Sequence, residues 1–282
     1  MNMPRSVFLP LMGHDIHVME WGDPSLPPLI MWHGLARTGR DFDELALALS
    51  GDYFVICPDT IGRGLSSWAD APNEQYVTAY YARIAGAMLD HYGIDKAAWI
   101  GTSMGGLIGM HVAAGENAHR ISALIINDIG PEIPDEALDR IITYARELPE
   151  FSRMAEAEDW LRTVYAPFGP APDGFWPRMA ETSTRRRDDG KLTLHYDPRI
   201  IDALEAVPGQ LSNWAFYERI TAPTHVLQGV QSDLLTDDIL ARMTDAGPRP
   251  ASSAFPDCGH APTLSNPEDA ALIASLLQKL TS

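Results

Sequence analysis

One short stretch of the sequence combines residue types that could carry out nucleophilic chemistry. Gly101, Ser103 and Gly105 form a Gly-x-Ser-x-Gly pattern between the apolar run at 97–100 and a second apolar stretch that begins at 107. A serine in such a strand-to-helix turn is presented above the ends of the strands, and its neighbours must be glycines because a Cβ atom would collide with nearby backbone. The pattern predicts that Ser103 is a nucleophile, which requires a general base, an acid that orients the base, and donors for an oxyanion.

The best candidate for the general base is His260. It lies in the stretch 257–262, between the last predicted strand and the last predicted helix, where a loop histidine could reach a nucleophile at the strand ends. His225 falls inside a predicted strand, where a packed core residue is expected, and three other histidines lie on or beside predicted helices. We therefore predict that His260 accepts the proton of Ser103.

The acid that orients the base should be a carboxylate at the carboxyl end of a strand that precedes His260. Asp233 fits because it comes just after a predicted strand that ends at Gly229, and we predict that it holds the imidazole tautomer and stabilises the charged ring. Asp128 is the rival, since it ends the preceding predicted strand and could reach the same imidazole. The alternative for Asp128 is a role in forming a turn.

An oxyanion hole needs two N–H donors, and the sequence supplies two candidates. The first is the backbone N–H of Met104, directly after the nucleophile. The second is the backbone N–H of Leu35, in a loop after a buried strand where Gly34 lets the backbone turn towards the site. Both residues would act through the backbone, so their side chains need not be polar.

The elements that must position these residues alternate between strands and helices up to about residue 131. A hairpin joined at Gly13 is predicted for 5–12 and 14–21, and buried strands are predicted at 29–32, 54–57, 97–100 and 121–126. Helical spacing separates these runs, at 41–49 and 76–92. The rhythm predicts right-handed crossovers and a mostly parallel sheet with helices on both faces.

The alternation of strands and helices stops between residues 132 and 219, where we predict a helical insertion with helices at 135–148, 156–165 and 174–186. It resumes with a strand at 224–229, a short strand at 253–255 and a final helix at 267–280. We therefore predict a core formed by 1–131 and 220–282, with a helical cap at 132–219. Seven aromatic residues of the cap could line an apolar pocket or anchor the cap helices: Trp160, Tyr165, Phe168, Phe175, Trp176, Trp214 and Phe216.

Length and composition narrow the class of protein. The 282 residues suit one large α/β domain with an insertion, and the formal net charge of −17 argues against nucleic acid or an anionic membrane as a partner. Cys57 and Cys258 provide no disulfide framework, and no apolar segment is long enough to span a membrane. No ligand cluster or dinucleotide fingerprint appears, so we expect no metal ion or organic cofactor. We expect a cytoplasmic protein, either a monomer or a homodimer.

Taken together, these motifs resemble those of the α/β-hydrolase superfamily, in its capped, serine-nucleophile group of esterases and lactonases. The resemblance is carried by the order Ser103, Asp233, His260, with His33-Gly34 upstream and the stretch 58–66 between them. It implies an α/β-hydrolase fold, in which a mostly parallel eight-stranded sheet has helices on both faces and a helical cap follows the sixth strand. It also implies that the stretch 59–66 is structural.

The residue types favour one branch of that superfamily, the serine hydrolases of carboxylic esters, with lactones and thioesters as variant substrates. Haloalkane dehalogenases and epoxide hydrolases of this fold use aspartate at the position of Ser103. Carbon–carbon hydrolases commonly place tryptophan directly after the base, where this chain has Ala261. A carbon–carbon or enol-lactone hydrolase of aromatic degradation is the alternative enzyme. A receptor that retains the three residues but mainly binds its ligand is the alternative outside enzymes.

Overall fold

An eight-stranded sheet lies at the centre of the structure, a computed structural model that describes residues 3–205 and 212–282. The strands in chain order are β1 (Arg5–Leu11), β2 (His14–Trp21), β3 (Pro28–Trp32), β4 (Phe54–Pro58), β5 (Ala97–Thr102), β6 (Ile121–Asn127), β7 (Glu150–Phe151), β8 (Thr184–Arg186), β9 (Leu192–Leu194), β10 (Thr224–Gly229) and β11 (Ala251–Phe255). The central sheet has the order β1-β2-β4-β3-β5-β6-β10-β11. Strands β1 and β2 form an antiparallel hairpin, β2 pairs antiparallel with β4, and every later pair is parallel. The predicted α/β-hydrolase sheet is confirmed.

The helices cover both faces of this sheet. In chain order they are α1 (Asp43–Leu49), α2 (Pro72–Gln75), α3 (Thr78–His91), α4 (Met104–Ala114), α5 (Asp135–Arg146), α6 (Met154–Val164), α7 (Phe175–Ser183), α8 (Arg199–Glu205), α9 (Trp214–Tyr217), α10 (Asp237–Asp245) and α11 (Pro267–Thr281). Among the described residues, no helix is both long enough and apolar enough to cross a membrane.

Two apolar clusters hold the helices against the sheet, one on each face. Successive side chains of a strand point to opposite faces, so Ile30 and Trp32 pack with α3 and α4 while Leu29 and Met31 pack with α1 and α11. All four of these β3 side chains are at most 1% exposed. A short run of apolar residues thus serves both faces, as expected of a central parallel strand.

Between β6 and β10 the chain leaves the central sheet and forms α5 to α9 together with the short strands β7 to β9. The predicted helix at 174–186 is partly wrong, because α7 ends at Ser183 and residues 184–186 form β8. Thr184 is β-branched, and β8 pairs antiparallel with β9, which also pairs with β7 in a separate three-stranded sheet. Residues 206–211 of the predicted cap lie outside the described residues. The cap boundaries at 132 and 219 remain predictions.

The turn between β5 and α4 depends on close backbone contacts that only glycine allows. A Cβ atom on Gly105 would lie 2.0 Å from the carbonyl oxygen of Trp32, at the end of β3. A Cβ atom on Gly101 would lie 2.2 Å from the carbonyl oxygen of Gly105. Both contacts are with backbone, which cannot rotate away as a side chain can. The first turn of α4 is therefore pressed against the ends of β3 and β5.

We expect Gly105→Ala to destabilise the fold, because the added methyl group would force α4 away from the Trp32 carbonyl. The expected loss in the free energy of unfolding is about 2 kcal/mol or more, measured by urea denaturation followed by circular dichroism. Gly51→Ala is the matched control, since a Cβ atom there meets nothing within 4 Å and its effect should stay within about 0.5 kcal/mol. Equal midpoints for the two variants would contradict the proposed crowding.

Candidate active site

Ser103 occupies the single residue between β5 and α4. Its backbone has φ +53° and ψ −118°, a region that residues with a side chain rarely adopt. The Ser103 N–H donates to the carbonyl oxygen of Asn127 at 2.9 Å, which fixes this turn to the end of β6. The serine is thus held by β5, β6 and α4 in a strained conformation that projects its side chain beyond the strand ends.

A chain of three hydrogen bonds runs from Ser103 into the sheet. The Ser103 Oγ atom lies 2.8 Å from Nε2 of His260, and Nδ1 of His260 lies 2.8 Å from Oδ2 of Asp128. The other carboxylate oxygen of Asp128 accepts from the backbone N–H of Gly229 at 2.7 Å. With the proton on Nδ1, the imidazole donates to Asp128 and its Nε2 can accept from the serine hydroxyl. Ser103 and His260 are therefore brought together as predicted from the sequence.

The position of Asp233 differs from the sequence-based expectation. Its carboxylate is about half exposed and pairs with Arg140 on α5, with Nε and Nη2 of Arg140 at 2.8 and 2.7 Å from its two oxygens. Asp128, which is fully buried, holds the imidazole instead. The His260 loop passes over the end of β6, where Asn127 donates to the carbonyl oxygen of Pro262, so the next residue, Asp128, lies against the imidazole. Asp233 lies four residues beyond the end of β10.

Backbone contacts fix the loop that carries His260. The side-chain amide of Asn127 donates to the carbonyl oxygen of Pro262 at 2.9 Å, and the N–H of Gln231 donates to the carbonyl oxygen of Cys258 at 2.8 Å. A Cβ atom on Gly229 would lie 2.2 Å from the carbonyl oxygen of Gly259, so this loop approaches the end of β10 closely. Residues both before and after His260 are therefore fixed, and they hold the imidazole in place.

The two predicted oxyanion donors, Leu35 and Met104, belong to the two segments that border Ser103. Met104 is the first residue of α4, whose N–H groups have no intrahelical partner at that end. Leu35 follows Gly34, and a Cβ atom on Gly34 would lie 3.6 Å from the Cβ atom of Ser103. Neither N–H donates to a backbone carbonyl outside its own helix or strand in the described part of the chain. Both groups remain predicted oxyanion donors.

The buried guanidinium of Arg63 contacts both residues that carry the predicted donors. Its Nε donates to the carbonyl oxygen of Leu35 at 2.8 Å, and its Nη2 lies 3.6 Å from the sulfur of Met104. Its Nη1 donates to the carbonyl oxygen of Ile61 and to the hydroxyl of Tyr81, both at 2.8 Å. Arg63 lies in the stretch 59–66, so the expected structural role of this stretch includes holding the Leu35 loop.

His33 holds the start of the same loop in a buried and uncharged form. Its Nδ1 donates to the carbonyl oxygen of Gly34 at 2.7 Å, and its Nε2 accepts from the backbone N–H of Thr60 at 2.9 Å. Burial lowers the pKa of His33 to about 4, and the nearby carboxylate of Asp59 opposes this shift only in part. The neutral ring is the form that can make both hydrogen bonds.

Two cavities meet at Ser103. One, the His260 cavity, has a volume of about 520 Å³ and is lined by His260, Gln231, Arg37, Asp41, Arg140 and Asp233, among others. The other, the Met104 cavity, has a volume of about 730 Å³ and is lined by Met104, Leu107, Ile129, Leu138, His111 and Asn213, among others. Both volumes fall in the range typical of small-molecule sites. Leu35 and Ile141 line both cavities as well.

The seven aromatic residues of the predicted cap divide between the cavities and the core. Tyr165, Phe168 and Phe175 line the His260 cavity, and Phe216 lines the Met104 cavity. The three tryptophans of this segment pack elsewhere, against other aromatic or arginine side chains. Both expectations for these residues thus hold, each for a part of the set.

Comparisons with known proteins agree with this fold. A family model described as the alpha/beta hydrolase fold matches residues 27–267. The chain is 38% identical, over 92% of its length and 91% of the relative's, to a 3-hydroxybutyrate-oligomer hydrolase of Cupriavidus necator. It is 29% identical to lipase LipV of Mycobacterium tuberculosis, over 51% of this chain and 52% of that protein. The solved structure of an alpha/beta hydrolase from Novosphingobium aromaticivorans superposes with a TM-score of 0.88 at 34% identity and covers 99% of both chains.

The chain therefore belongs to the α/β-hydrolase family. Its relatives include a protein named a 3-hydroxybutyrate-oligomer hydrolase and one named a lipase, and both names denote hydrolases.

The buried His33 gives the stability of the protein a defined pH dependence. Between its unfolded pKa of about 6.5 and its folded value of about 4, the unfolded chain binds a proton that the folded protein does not. Stability from this group is therefore complete above pH 6.5 and is lost as the pH falls towards 4. From pH 7 to 5, the free energy of unfolding should fall by about 2 kcal/mol more in the wild type than in His33→Asn.

The measurement is urea denaturation at pH 7 and pH 5. The change in the free energy of unfolding between the two pH values is then compared between wild type and variant, so that the contribution of carboxylates common to both cancels. His91→Asn is the control, because His91 is exposed at the end of α3 and should leave the wild-type pH dependence unchanged. A His33→Asn variant that loses stability as steeply as the wild type would contradict the assignment of a neutral, buried ring.

Proposed function

We propose that the protein is a carboxylic ester hydrolase in which Ser103 forms an acyl-enzyme, His260 is the general base and Asp128 orients His260. The observation that carries the proposal is the continuous set of hydrogen bonds from Ser103 Oγ through the imidazole to a carboxylate that is itself held by a backbone N–H. An activated nucleophile with a base that is oriented by a third group is the arrangement that acyl transfer requires.

In the first step, the Ser103 oxygen forms a bond to the ester carbonyl carbon while its proton passes to Nε2 of His260. Asp128 stabilises the resulting imidazolium and keeps its proton on Nδ1 without becoming protonated itself. The carbonyl oxygen becomes an oxyanion between the N–H groups of Leu35 and Met104. Each such donor contributes about 3 kcal/mol to the stabilisation of the transition state.

In the second step, the tetrahedral intermediate collapses and the bond to the alcohol oxygen breaks. His260 gives its proton to the departing oxygen, which leaves as a neutral alcohol, and the acyl group stays on Ser103. Water then enters, loses a proton to His260 and attacks the acyl carbon. A second collapse returns the proton to the Ser103 oxygen and releases the carboxylic acid, so the enzyme is restored with one water consumed.

Linear oligoesters of hydroxy carboxylic acids are the substrate class that we propose. The similarity to a 3-hydroxybutyrate-oligomer hydrolase over nine tenths of both chains supports this choice. So does the presence of two cavities on either side of Ser103, since an internal ester of an oligomer has a chain on both sides of the scissile bond. Short p-nitrophenyl esters would be simpler substrates of the same site.

We expect Ser103→Ala to abolish turnover of p-nitrophenyl butyrate, because the variant lacks the atom that forms the acyl-enzyme. Ser152→Ala, a change at an exposed serine between β7 and α6, should retain wild-type turnover. Intact-mass spectrometry of rapidly quenched wild type should detect one acyl group, mapped to Ser103 by peptide digestion. If wild type and Ser103→Ala were equally inert towards esters and lactones, the receptor hypothesis would replace this proposal.

Replacing the two candidate acids separately tests the assignment of Asp128. Asp128→Asn should lower kcat by about 10³- to 10⁴-fold, because an amide favours the wrong imidazole tautomer and cannot stabilise its charged form. Asp233→Asn should change kcat for the same uncharged ester less than about threefold, since its carboxylate is half exposed and pairs with Arg140. A larger loss in Asp233→Asn than in Asp128→Asn would restore the assignment made from sequence.

A further inference from the structure

The position of His260 decides which cavity receives which half of an ester. The imidazole must protonate the departing alcohol oxygen, so the alcohol half lies on the side of Ser103 that His260 occupies. His260 lines the His260 cavity and does not line the Met104 cavity, whereas Ser103 lines both. The alcohol half therefore enters the His260 cavity, and the acyl half enters the Met104 cavity.

The charged groups of the His260 cavity form two arginine–aspartate pairs that differ in how firmly they are held. Arg37 is buried, donates to both oxygens of Asp41 at 2.8 and 2.6 Å, and also donates to the hydroxyl of Ser183 at 2.9 Å. Arg140 and Asp233 are both about half exposed. An exposed pair of this kind contributes little to stability, so its partners can accept a third charged group at small cost.

Arg140 keeps donors available for such a group. Asp233 contacts only Nε and Nη2, which form one edge of the guanidinium. A guanidinium has five N–H donors in a fixed plane and can bind a second carboxylate along its other edge. Each arginine is paired with an aspartate, but Arg37 is buried and also anchored to α7 through Ser183, whereas Arg140 is about half exposed. Arg140 is thus the cation of this cavity that can bind an anionic ligand.

The described lining of the Met104 cavity has no cation that could bind a carboxylate as Arg140 can. Its described lining includes no lysine or arginine, and its one acidic residue, Glu74, would repel an anion. Its polar pair is His111 with Asn213, joined at 2.8 Å, and burial lowers the pKa of His111 so that the ring stays neutral. This cavity suits an uncharged acyl chain, including one that ends in a hydroxyl group.

We propose that Arg140 binds the free carboxylate of the departing hydroxy acid, so that the enzyme cleaves oligoesters from their carboxyl end and releases one short hydroxy acid at a time. This inference rests on the proposed ester hydrolysis and adds a direction to it. A hydroxy-acid oligomer carries a hydroxyl at one end and a carboxylate at the other. The Met104 cavity suits the uncharged hydroxyl end, and the His260 cavity, with Arg140, suits the carboxylate end. The carboxylate lies away from the bond that breaks, so Arg140 acts on binding and not on the chemical step.

The test compares the dimer and trimer of 3-hydroxybutyrate with their methyl esters, which lack the terminal charge. Wild type is expected to prefer the free acids through a lower KM, and Arg140→Gln should remove this preference by raising KM for the free acids about tenfold or more, with kcat little changed. Arg140→Glu should raise the KM for the free acids further, because the new carboxylate would repel that of the substrate. In wild type, added sodium chloride should reduce the difference in KM between the free acid and its methyl ester, because salt screens the charge of Arg140.

Arg146→Gln is the matched control, because Arg146 lies on the same helix and pairs with an exposed glutamate, Glu205, but lines neither cavity. It should leave all four KM values unchanged. Equal KM values for acid and methyl ester in wild type, or a preference that survives in Arg140→Gln, would overturn the inference while leaving ester hydrolysis intact. Absence of turnover for every ester, the methyl esters included, would instead overturn the proposed function.

Discussion

The close contact between the first turn of α4 and the ends of β3 and β5 is the constraint on which the site depends. Gly105 meets the Trp32 carbonyl oxygen, and Gly101 meets Gly105, at distances that exclude any side chain. This crowding leaves Ser103 with positive φ and places its hydroxyl within 2.8 Å of His260. The same contact brings the start of α4 beside the Leu35 loop, which follows β3. One packing requirement therefore positions the candidate nucleophile and both candidate oxyanion donors.

How much of the site can be inferred from the sequence depends on whether a residue is marked by local geometry or by the order of strands. Ser103 is marked by the glycines around it, and His260 by its loop between the last strand and the last helix. The choice between Asp128 and Asp233 depends on which strand end lies beside that loop, which the linear order leaves open. The contact of this loop with the end of β6, through Asn127, places Asp128 at the imidazole, and the hydrogen bond from Gly229 to Asp128 could be identified only in three dimensions.

The lining of the two cavities is likewise only partly predictable from the sequence. The aromatic residues between β6 and β10 are marked by type, but packing alone decides that Tyr165 and Phe216 line different cavities. Arg140 resembles many other arginines in the sequence, and Arg63 is marked only by its place in the structural stretch 59–66. Their contacts join residues far apart in the chain, such as Arg140 with Asp233 and Arg63 with Leu35. Secondary structure was accordingly more predictable than the surroundings of the site, and the exception at 184–186 arose from pairing with β9.

The ion pairs that join the segment between β6 and β10 to the rest of the protein are unequal in strength. On one side of the His260 cavity, Arg178 of α7 binds both carboxylate oxygens of Glu44 in α1 and donates to the carbonyl oxygen of Arg40. On the other side, Arg140 of α5 meets Asp233 through a half-exposed pair that salt screens readily. Added salt should therefore weaken the contact of α5 with the rest of the protein more than the contact of α7.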